Sequence, residues 1–368
     1  MPGSAASRRT AADYFSSNYA AARERFRDAA HRAGAKLHAL PIAATGPQGE
    51  ALTIDIAWLG RDDAARVLLH TSGIHGVEAY AGSAVQLALL DNPPAAGDGG
   101  ALALVHVLNP YGMAWLRRTN ENNVDLNRNF LGAGEAWSGA PPLYAALDPL
   151  LNPASPPRRD AFVPRALLKI LRYGYPAVKQ AVAQGQYDYP RGLFYGGSRL
   201  EEGPRRYLAW LAARLRSAAT VLAIDVHTGL GPHGEDTLLV EPGYRAPPAL
   251  AEALRRPLVD AASGDRTSYV VKGGLASGVA RSLPGARVHA IVQEFGTYPI
   301  LRVISCLRDE NRAHFFAAQD ANHPAKRALL DALRPGDASW QERVVTRGVE
   351  VARAGLQWLI TEGSNDGL

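Results

Sequence analysis

The sequence predicts a single-domain α/β protein in which a central mixed, mostly parallel β-sheet is flanked by helices. Short apolar runs alternate with segments of helical periodicity, and this strand–helix–strand order favours parallel pairing. Polar residues of catalytic type stand where several of the apolar runs end. The chain has 368 residues, of which 47% are hydrophobic, so it can bury the core of one large sheet.

The N-terminal segment predicts an amphipathic helix. Large apolar residues, among them Tyr19 and Phe26, recur at helical spacing within residues 11–33. We expect residues 1–40 to pack as this helix on the main domain, and residues 41–368 to form the α/β domain itself.

Six apolar or β-branched runs predict the strands of the sheet. They span residues 52–59, 66–73, 101–109, 220–227, 236–241 and 286–295. Helical periodicity is found between and after these runs. The predicted helices are 78–92, 164–184, 204–218, 246–262, 308–318 and 341–361. Residues 131–200 contain an aperiodic, Pro-rich stretch, and we interpret them as an insertion because the runs on either side fit one sheet.

The composition argues against several classes of protein. The formal charge of +5 is modest and no long Lys/Arg block is present, so we expect no nucleic-acid binding. The single cysteine, Cys306, excludes an internal disulfide and a cysteine-based zinc finger. The N-terminal residues lack the apolar core of a signal peptide, and no run of about 18 apolar residues predicts a membrane span. We therefore expect a cytoplasmic protein without membrane contact.

The candidate functional residues lie where apolar runs end. His75 and Glu78 follow one run, His227 closes another, and Glu294 stands near the end of a third. In open α/β sheets, ligands bind beyond the carboxyl ends of the strands, so these side chains can converge on one crevice. Two histidines and a glutamate form a catalytic zinc-binding set that leaves a fourth position for water. Other histidines near the same strand ends are rival ligands: His70, His106, His233 and His289.

The segment 109–130 reads NPYGMAWLRRTNENNVDLNRNF. Its DLNRNF, preceded by NP-x-G and an arginine, resembles the zinc carboxypeptidase A-like family, also called funnelins. In that family an H-x-x-E lies upstream, a zinc-binding histidine closes a later strand, and a glutamate on a last strand is the base. This sequence has these features in the same order over residues 45–300, and SGIHGVEAYAGSA and QEFGTYP resemble a bacterial branch of the family. The resemblance implies a carboxypeptidase A-like fold.

The resemblance also implies the roles of the metal-site residues. His75, Glu78 and His227 match the ligands of one zinc ion per chain. Asp125 matches the residue that holds the first histidine through its other ring nitrogen, a contact that fixes the tautomer of such a ligand. Glu294 matches the general base, which takes a proton from the attacking water and delivers it to the leaving amine.

Two roles for arginine follow from the resemblance. Asn127 and Arg128 match the pair that binds the terminal carboxylate of the substrate, since a guanidinium and a carboxylate form two parallel hydrogen bonds. Another arginine of the family polarises the scissile carbonyl. Arg117 and Arg118 are both candidates for this role, and counting from Asn120 favours Arg118.

A tyrosine caps the bound substrate in the family. Tyr269, which lies four residues before a Gly-Gly pair, matches that position, and Tyr298 is the alternative. The sequence departs from the family pattern at Tyr111, where an acidic residue is common. The segment 273–294 also departs from the specificity pocket of the digestive enzymes, so the preferred side chain stays open.

We interpret the sequence as a zinc metallocarboxypeptidase that cleaves the amide bond to a C-terminal residue with a free carboxylate. The expected substrate is a peptide or an acyl amino acid with that carboxylate, and the oligomeric state is left open. One alternative is an aspartoacylase-like deacylase acting on small N-acyl amino acids. Such deacylases usually carry a C-terminal β-domain, whereas the residues after Glu294 predict helices. A second alternative is a catalytically dead zinc fold that binds peptide C-termini, although no ligand and no base is lost.

Overall fold

The computed structural model describes residues 9–263, 269–318 and 320–362, and in these ranges eight strands form one sheet. The strands are β1 (Lys36–Thr45), β2 (Ala51–Gly60), β3 (Arg66–Ser72), β4 (Gly100–His106), β5 (Thr220–Gly229), β6 (Asp236–Val240), β7 (Leu258–Asp260) and β8 (Arg287–Gly296). Their order across the sheet is β1-β2-β4-β3-β5-β8-β6-β7.

Parallel pairing prevails in this sheet. β3 pairs in parallel with β4 and with β5, and the β5–β8 and β6–β7 pairs are parallel too. The β1–β2, β2–β4 and β6–β8 pairs are antiparallel. The predicted α/β class with a mixed, mostly parallel sheet is therefore confirmed.

Helices cover both faces of the sheet. The α-helices of the described residues are α1 (Tyr19–Arg32), α2 (Ala79–Asp91), α3 (Pro110–Ala114), α4 (Tyr144–Leu151), α5 (Phe162–Tyr173), α6 (Tyr175–Ala183), α7 (Glu202–Arg214), α8 (Pro248–Leu254), α9 (Leu275–Ser282), α10 (Ile300–Phe316), α11 (Pro324–Leu333) and α12 (Ala338–Glu362). The apolar core on one face includes α1, α2, α8 and α12, and the core on the other includes α7 and α9. Across the described ranges, no helix is both long enough and apolar enough to cross a membrane.

The central strands bring the candidate residues to one edge of the sheet. β3, β4 and β5 are nearly continuous apolar runs because helices bury both of their faces. β3 and β8 lie on either side of β5, so the carboxyl ends of the three parallel strands are neighbours. In the register between β5 and β8, His227 lies opposite Glu294.

Two edge strands differ from the sequence prediction. β1 is absent from the prediction, and the boundary expected at residue 40 falls inside it. Its side chains alternate between exposed and half-buried, so it lacks the apolar run that reveals a strand. The segment predicted as a helix over 246–262 contains α8 followed by β7. Arg255 adopts a left-handed conformation with φ of 52° directly after α8, and the helix ends there.

Some helix boundaries also differ from the prediction. The helix expected over 164–184 is two helices, α5 and α6, which meet at Gly174. The φ of this residue is 83°, a backbone conformation that glycine adopts without the penalty of a side chain. α10 begins at Ile300 rather than at 308, and α11 is absent from the prediction.

The segment 131–200, predicted as an insertion, forms α4, α5 and α6. Its helices pack against α10, where Leu150 and Phe162 are close to Ile304. These helices and α10 also border a cleft at the carboxyl ends of the strands. The segment therefore contributes walls to the region where the candidate residues meet.

A buried ion cluster joins the loop after α3 to α10 and α11. Glu310 Oε1 lies 2.9 Å from Arg117 Nε and 2.8 Å from Lys326 Nζ, and each of the three side chains is at most 4% exposed. Burial raises the pKa of Glu310, but Arg117 and Lys326 outweigh this effect, so the pKa lies below its ordinary value. The cluster fixes two helices and the loop with respect to one another.

Glu310→Gln removes the charge that compensates Arg117 and Lys326 and leaves two buried cations. We expect the free energy of unfolding, measured by urea denaturation, to fall by about 3–5 kcal/mol, as is typical when one partner of a buried ion pair is removed. Glu350→Gln is the control, because Glu350 is 58% exposed where it pairs with Arg256. The free energy of unfolding of Glu350→Gln should fall by less than about 1 kcal/mol. Similar losses in the two variants would contradict the structural role of the cluster.

Candidate metal centre

Three residues from two strand ends form a compact buried group, which we call the metal group. His75 follows β3, Glu78 precedes α2, and His227 lies on β5. Each side chain is at most 3% exposed. One nitrogen or carboxylate oxygen of each residue lies within 4.8 Å of those of the other two.

The 3-10 turn that carries Glu78 packs closely against α3 and the residues that follow it. A Cβ atom at Gly76 would lie 2.1 Å from the carbonyl carbon of Gly112, so only glycine permits this approach of two backbones. The amides of Gly76 and Val77 donate to the carbonyls of Arg118 and Arg117 at 3.2 and 2.9 Å. These contacts fix the turn next to the two candidate arginines.

The geometry of the metal group fits a metal ion. His75 Nδ1 lies 3.2 Å from Glu78 Oε1, and His227 Nδ1 lies 3.6 Å from Glu78 Oε2. The two imidazole rings meet at 81°, with centroids 4.8 Å apart. His75 Nδ1 is buried and has no hydrogen-bond partner among the described residues. Buried polar atoms normally have a partner, and two imidazoles with a carboxylate are a donor set that divalent metals prefer.

A carboxylate binds the other nitrogen of each histidine. His75 Nε2 donates to Asp125 Oδ1 at 3.0 Å, and His227 Nε2 donates to Asp225 Oδ2 at 2.5 Å. With the proton on Nε2, Nδ1 of each ring can bind a metal ion. The sequence prediction includes Asp125 but not Asp225. The sequence signal that could have identified Asp225 is the Asp-x-His spacing on β5, because the side chains of residues two apart on a strand lie on the same face.

The electrostatics of the metal group favour a bound cation. Burial raises the pKa of Glu78, but His75, Arg118 and His227 outweigh this effect and lower the pKa to about 2. Burial lowers the pKa of His227, but Asp225 and Glu78 outweigh this effect and raise the pKa to about 9. The surroundings of His227 therefore favour positive charge, which a metal ion can supply instead of a proton.

Glu294 stands beside the metal group on β8. Its Oε1 accepts a hydrogen bond from Leu230 N at 2.9 Å, and the residue is 4% exposed. Burial raises the pKa of Glu294 to about 7, an effect that His227 opposes and Glu78 supports. A carboxyl group with a pKa near 7 can accept and release a proton at neutral pH.

The two candidate arginines point to different surroundings. Arg118 Nη1 lies 2.8 Å from Glu78 Oε1, and its Nε lies 3.0 Å from Asp125 Oδ2. Arg117 belongs to the buried cluster around Glu310. Of the two, Arg118 is therefore the arginine that the structure places at the metal group.

Asn127 and Arg128 are more deeply buried than Arg118. Asn127 Oδ1 accepts a hydrogen bond from Leu275 N at 2.9 Å. The Arg128 side chain is fully buried, with Nη1 at 3.2 Å from Asp125 Oδ2 and Nη2 donating to Ala183 O at 2.6 Å. Its Nε has no hydrogen-bond partner among the described residues. The described residues thus satisfy part of this guanidinium and leave Nε without a partner among them.

The two candidate tyrosines also lie in different places. The guanidinium carbon of Arg128 is 5.9 Å from the ring centroid of Tyr269. Tyr298 packs instead against Arg302, whose guanidinium carbon is 3.7 Å from its ring centroid, and against His233 at 5.7 Å. Tyr269 is therefore the tyrosine next to the residues predicted to bind a carboxylate.

The rival histidines have other partners. His70, His106 and His289 each contact an uncharged side chain, and His233 contacts Asp337 at 3.1 Å. In the part of the chain that the structure describes, none of the four joins a group of metal-binding residues.

Two clefts meet at the metal group. The first cleft is lined by Arg118 at this end and by α4, α5, α6 and α10 farther out. The second cleft is lined by Asn127 and by residues of β5, β6, β8 and α9. His227, Tyr269 and Glu294 line both clefts. The metal group thus stands between two spaces that can hold the two halves of one ligand.

Comparison with known proteins places the chain in a family. Residues 15–347 match the family described as "Protein of unknown function (DUF2817)". The chain belongs to the DUF2817 family. No curated protein matches it.

Several solved structures are similar to this DUF2817 protein. Carboxypeptidase A from Helicoverpa armigera is 12% identical, with a TM-score of 0.46 over 86% of this chain and 74% of the other. A metallo-carboxypeptidase from Burkholderia cenocepacia is 14% identical, with a TM-score of 0.41 over 92% of this chain and 69% of the other. The ectoine utilization protein EutE from Ruegeria pomeroyi is 15% identical, with a TM-score of 0.37 over 76% and 66%.

Asp225→Asn tests whether this DUF2817 protein uses Asp225 to prepare His227 for a metal ion. The amide has nearly the same shape but can present its NH₂ group to the ring, which favours the wrong tautomer. We expect the affinity for Zn²⁺, measured by competition with a chelator, to fall about 10–100-fold. Asp337→Asn is the control, because that carboxylate contacts His233 away from the metal group. Unchanged affinity in Asp225→Asn would remove Asp225 from the site.

Proposed function

We propose that this protein is a zinc-dependent hydrolase that cleaves the amide bond to a C-terminal residue bearing a free carboxylate. The observation that carries the proposal is the buried group of His75, Glu78 and His227, in which His75 Nδ1 has no hydrogen-bond partner among the described residues. One zinc ion per chain held there would act as a Lewis acid and acidify water. The remaining roles belong to side chains that surround the metal group.

Glu294 is the proposed general base. It lies opposite His227 in the sheet, and Leu230 N holds one of its carboxylate oxygens. Its pKa of about 7 allows it to take a proton from the attacking water and pass it to the leaving nitrogen at neutral pH.

Arg118 is the proposed stabiliser of the carbonyl oxygen. Its guanidinium lines the first cleft next to Glu78, and Asp125 fixes its Nε. A fixed donor aimed at the developing negative charge lowers the barrier of amide hydrolysis, because it needs no reorganisation during the reaction.

Asn127 and Arg128 are the proposed binding site of the free carboxylate. Asn127 lines the second cleft, and the unpaired Arg128 Nε offers a donor that an anion can satisfy. Tyr269 contacts Arg128 and lines the same cleft, so displacement of its ring would open the guanidinium to the substrate. This arrangement agrees with the proposed capping role of Tyr269.

The alternatives fit the described residues less well. The described residues after β8 form α10, α11 and α12, as the carboxypeptidase interpretation predicts. A fold without catalysis is disfavoured because Glu294 accompanies all three candidate ligands and has a pKa suited to proton transfer.

Glu294→Gln separates metal binding from catalysis. Glutamine keeps the size of the side chain but cannot take the proton, so kcat for an N-blocked dipeptide should fall at least about 10²-fold. The zinc content should stay at one ion per chain, which metal analysis checks. Glu235→Gln, at an exposed glutamate, is the matched control. Normal turnover in Glu294→Gln would exclude the proposed base.

Amidation of the substrate tests recognition of the free carboxylate. An N-blocked dipeptide and its C-terminal amide are compared with the wild type and with Arg128→Ala. Loss of one partner of a buried charge pair costs roughly 2–5 kcal/mol, so kcat/KM should fall about 30-fold or more when either partner is removed. The two losses should not add, because they remove the same contact. Equal cleavage of acid and amide by the wild type would exclude a carboxypeptidase, whatever the variant does.

A further inference from the structure

The two clefts lie on either side of His227 and Glu294 and differ in the candidate binding residues that line them. Asn127 lines only the second cleft, and Arg118 lines only the first. If the free carboxylate occupies the second cleft, as the proposed function requires, the acyl half of the amide must enter the first cleft. The chemistry of the first cleft therefore selects the acyl group.

Beyond the metal group, the walls of the first cleft are almost entirely apolar. They consist of side chains such as Leu147, Leu151, Ile170, Val178, Ile300 and Ile304. The polar side chains among them are Lys169, Lys179, Tyr175 and Thr228. Lys169 Nζ donates to Ala146 O at 3.0 Å, and Lys179 also has an interaction partner.

This surface does not suit an extended peptide. Each peptide residue brings an N–H and a C=O that need partners, and burying them without partners is costly. The cleft walls come from α4, α5, α6 and α10, whose backbone groups bond mainly within their own helices. A hydrocarbon chain carries no such groups and gains free energy from each methylene that it buries.

The first cleft extends well beyond the metal group. Its lining includes residues of four helices, α4, α5, α6 and α10. Three of these helices, α4, α5 and α6, belong to the segment 131–200, which is predicted from the sequence as an insertion.

We propose that the first cleft binds a long acyl chain, so that the substrates of the site are N-acyl amino acids with long apolar acyl groups. This inference rests on the proposed function and names its substrate class. In the reaction, the amide C–N bond breaks and the oxygen of water joins the acyl carbon. The leaving nitrogen gains a proton, and the products are a long-chain carboxylic acid and an amino acid.

A series of N-acyl amino acids with one amino acid and different acyl lengths tests the inference on the zinc-loaded enzyme. We expect kcat/KM to rise at least 100-fold from the N-acetyl to the N-dodecanoyl compound, with at most about a four-fold gain per methylene. Rates that stay level or fall with chain length would overturn the inference. Hydrolysis of the short compounds would in that case leave the proposed function standing.

Ile170 and Leu171 offer a matched pair of variants on α5. Ile170 is half-buried and lines the first cleft, whereas Leu171 is 84% exposed and does not. Ile170→Asn should lower the ratio of kcat/KM for the dodecanoyl over the acetyl compound at least five-fold, and Leu171→Asn should leave the ratio unchanged. Equal ratios in both variants and the wild type would place the acyl chain elsewhere and overturn the inference.

A binding measurement keeps the test independent of turnover. The Glu294→Gln variant is titrated with N-dodecanoylglycine and N-acetylglycine, and displacement of a fluorescent fatty-acid analogue reports binding. We expect the Kd of the dodecanoyl compound to be at least 100-fold lower, and Ile170→Asn in the same background to raise it. If these affinities are found but the wild type hydrolyses neither compound, the proposed function is refuted and the acyl-chain site is upheld. Equal affinity for both compounds would refute the acyl-chain site.

Discussion

The buried carboxylate of Asp125 accepts hydrogen bonds from His75 Nε2, Arg118 Nε, Arg128 Nη1 and the backbone amide of Asn127. Burial raises its pKa, but Arg118, Arg128 and His75 outweigh this effect and hold the pKa well below its ordinary range. The carboxylate of Asp125 is therefore charged at neutral pH. It fixes the tautomer of His75 and the positions of Arg118 and Arg128. The proposed metal site, oxyanion site and carboxylate site therefore all depend on this one side chain.

The sheet positions the other candidate residues of the site. β3, β5 and β8 are neighbours and parallel, so the residues at their carboxyl ends meet without long loops. The register sets His227 beside Glu294, and the alternation of side chains along β5 sets Asp225 on the same side as His227. Backbone hydrogen bonds between β5 and β8 thus fix the position of the candidate base relative to the candidate ligand His227.

Most of the central strands could be predicted from the sequence, because buried parallel strands are apolar runs. Polar residues at the ends of these runs mark the candidates, and the family resemblance selects His75, Glu78 and His227 among them. The edge strand β1 lacks such a run, since six of its ten residues are exposed. Arg117 and Arg118 are adjacent in sequence, so only the conformation of the loop separates the one at Glu310 from the one at Glu78. The walls of the first cleft depend on how α4, α5 and α6 pack against α10, which no local pattern encodes.

The register of β5 and β8 has a consequence for the evolution of such a protein. Since successive side chains of a strand point to opposite faces, one residue inserted before Glu294 in β8 would turn its carboxylate away from His227. Helices α4 to α6 are under no such constraint, because a longer or shorter helix changes the depth of a cleft and leaves the strand register intact. We therefore expect relatives to differ in length within the segment 131–200 and to keep the lengths of their central strands.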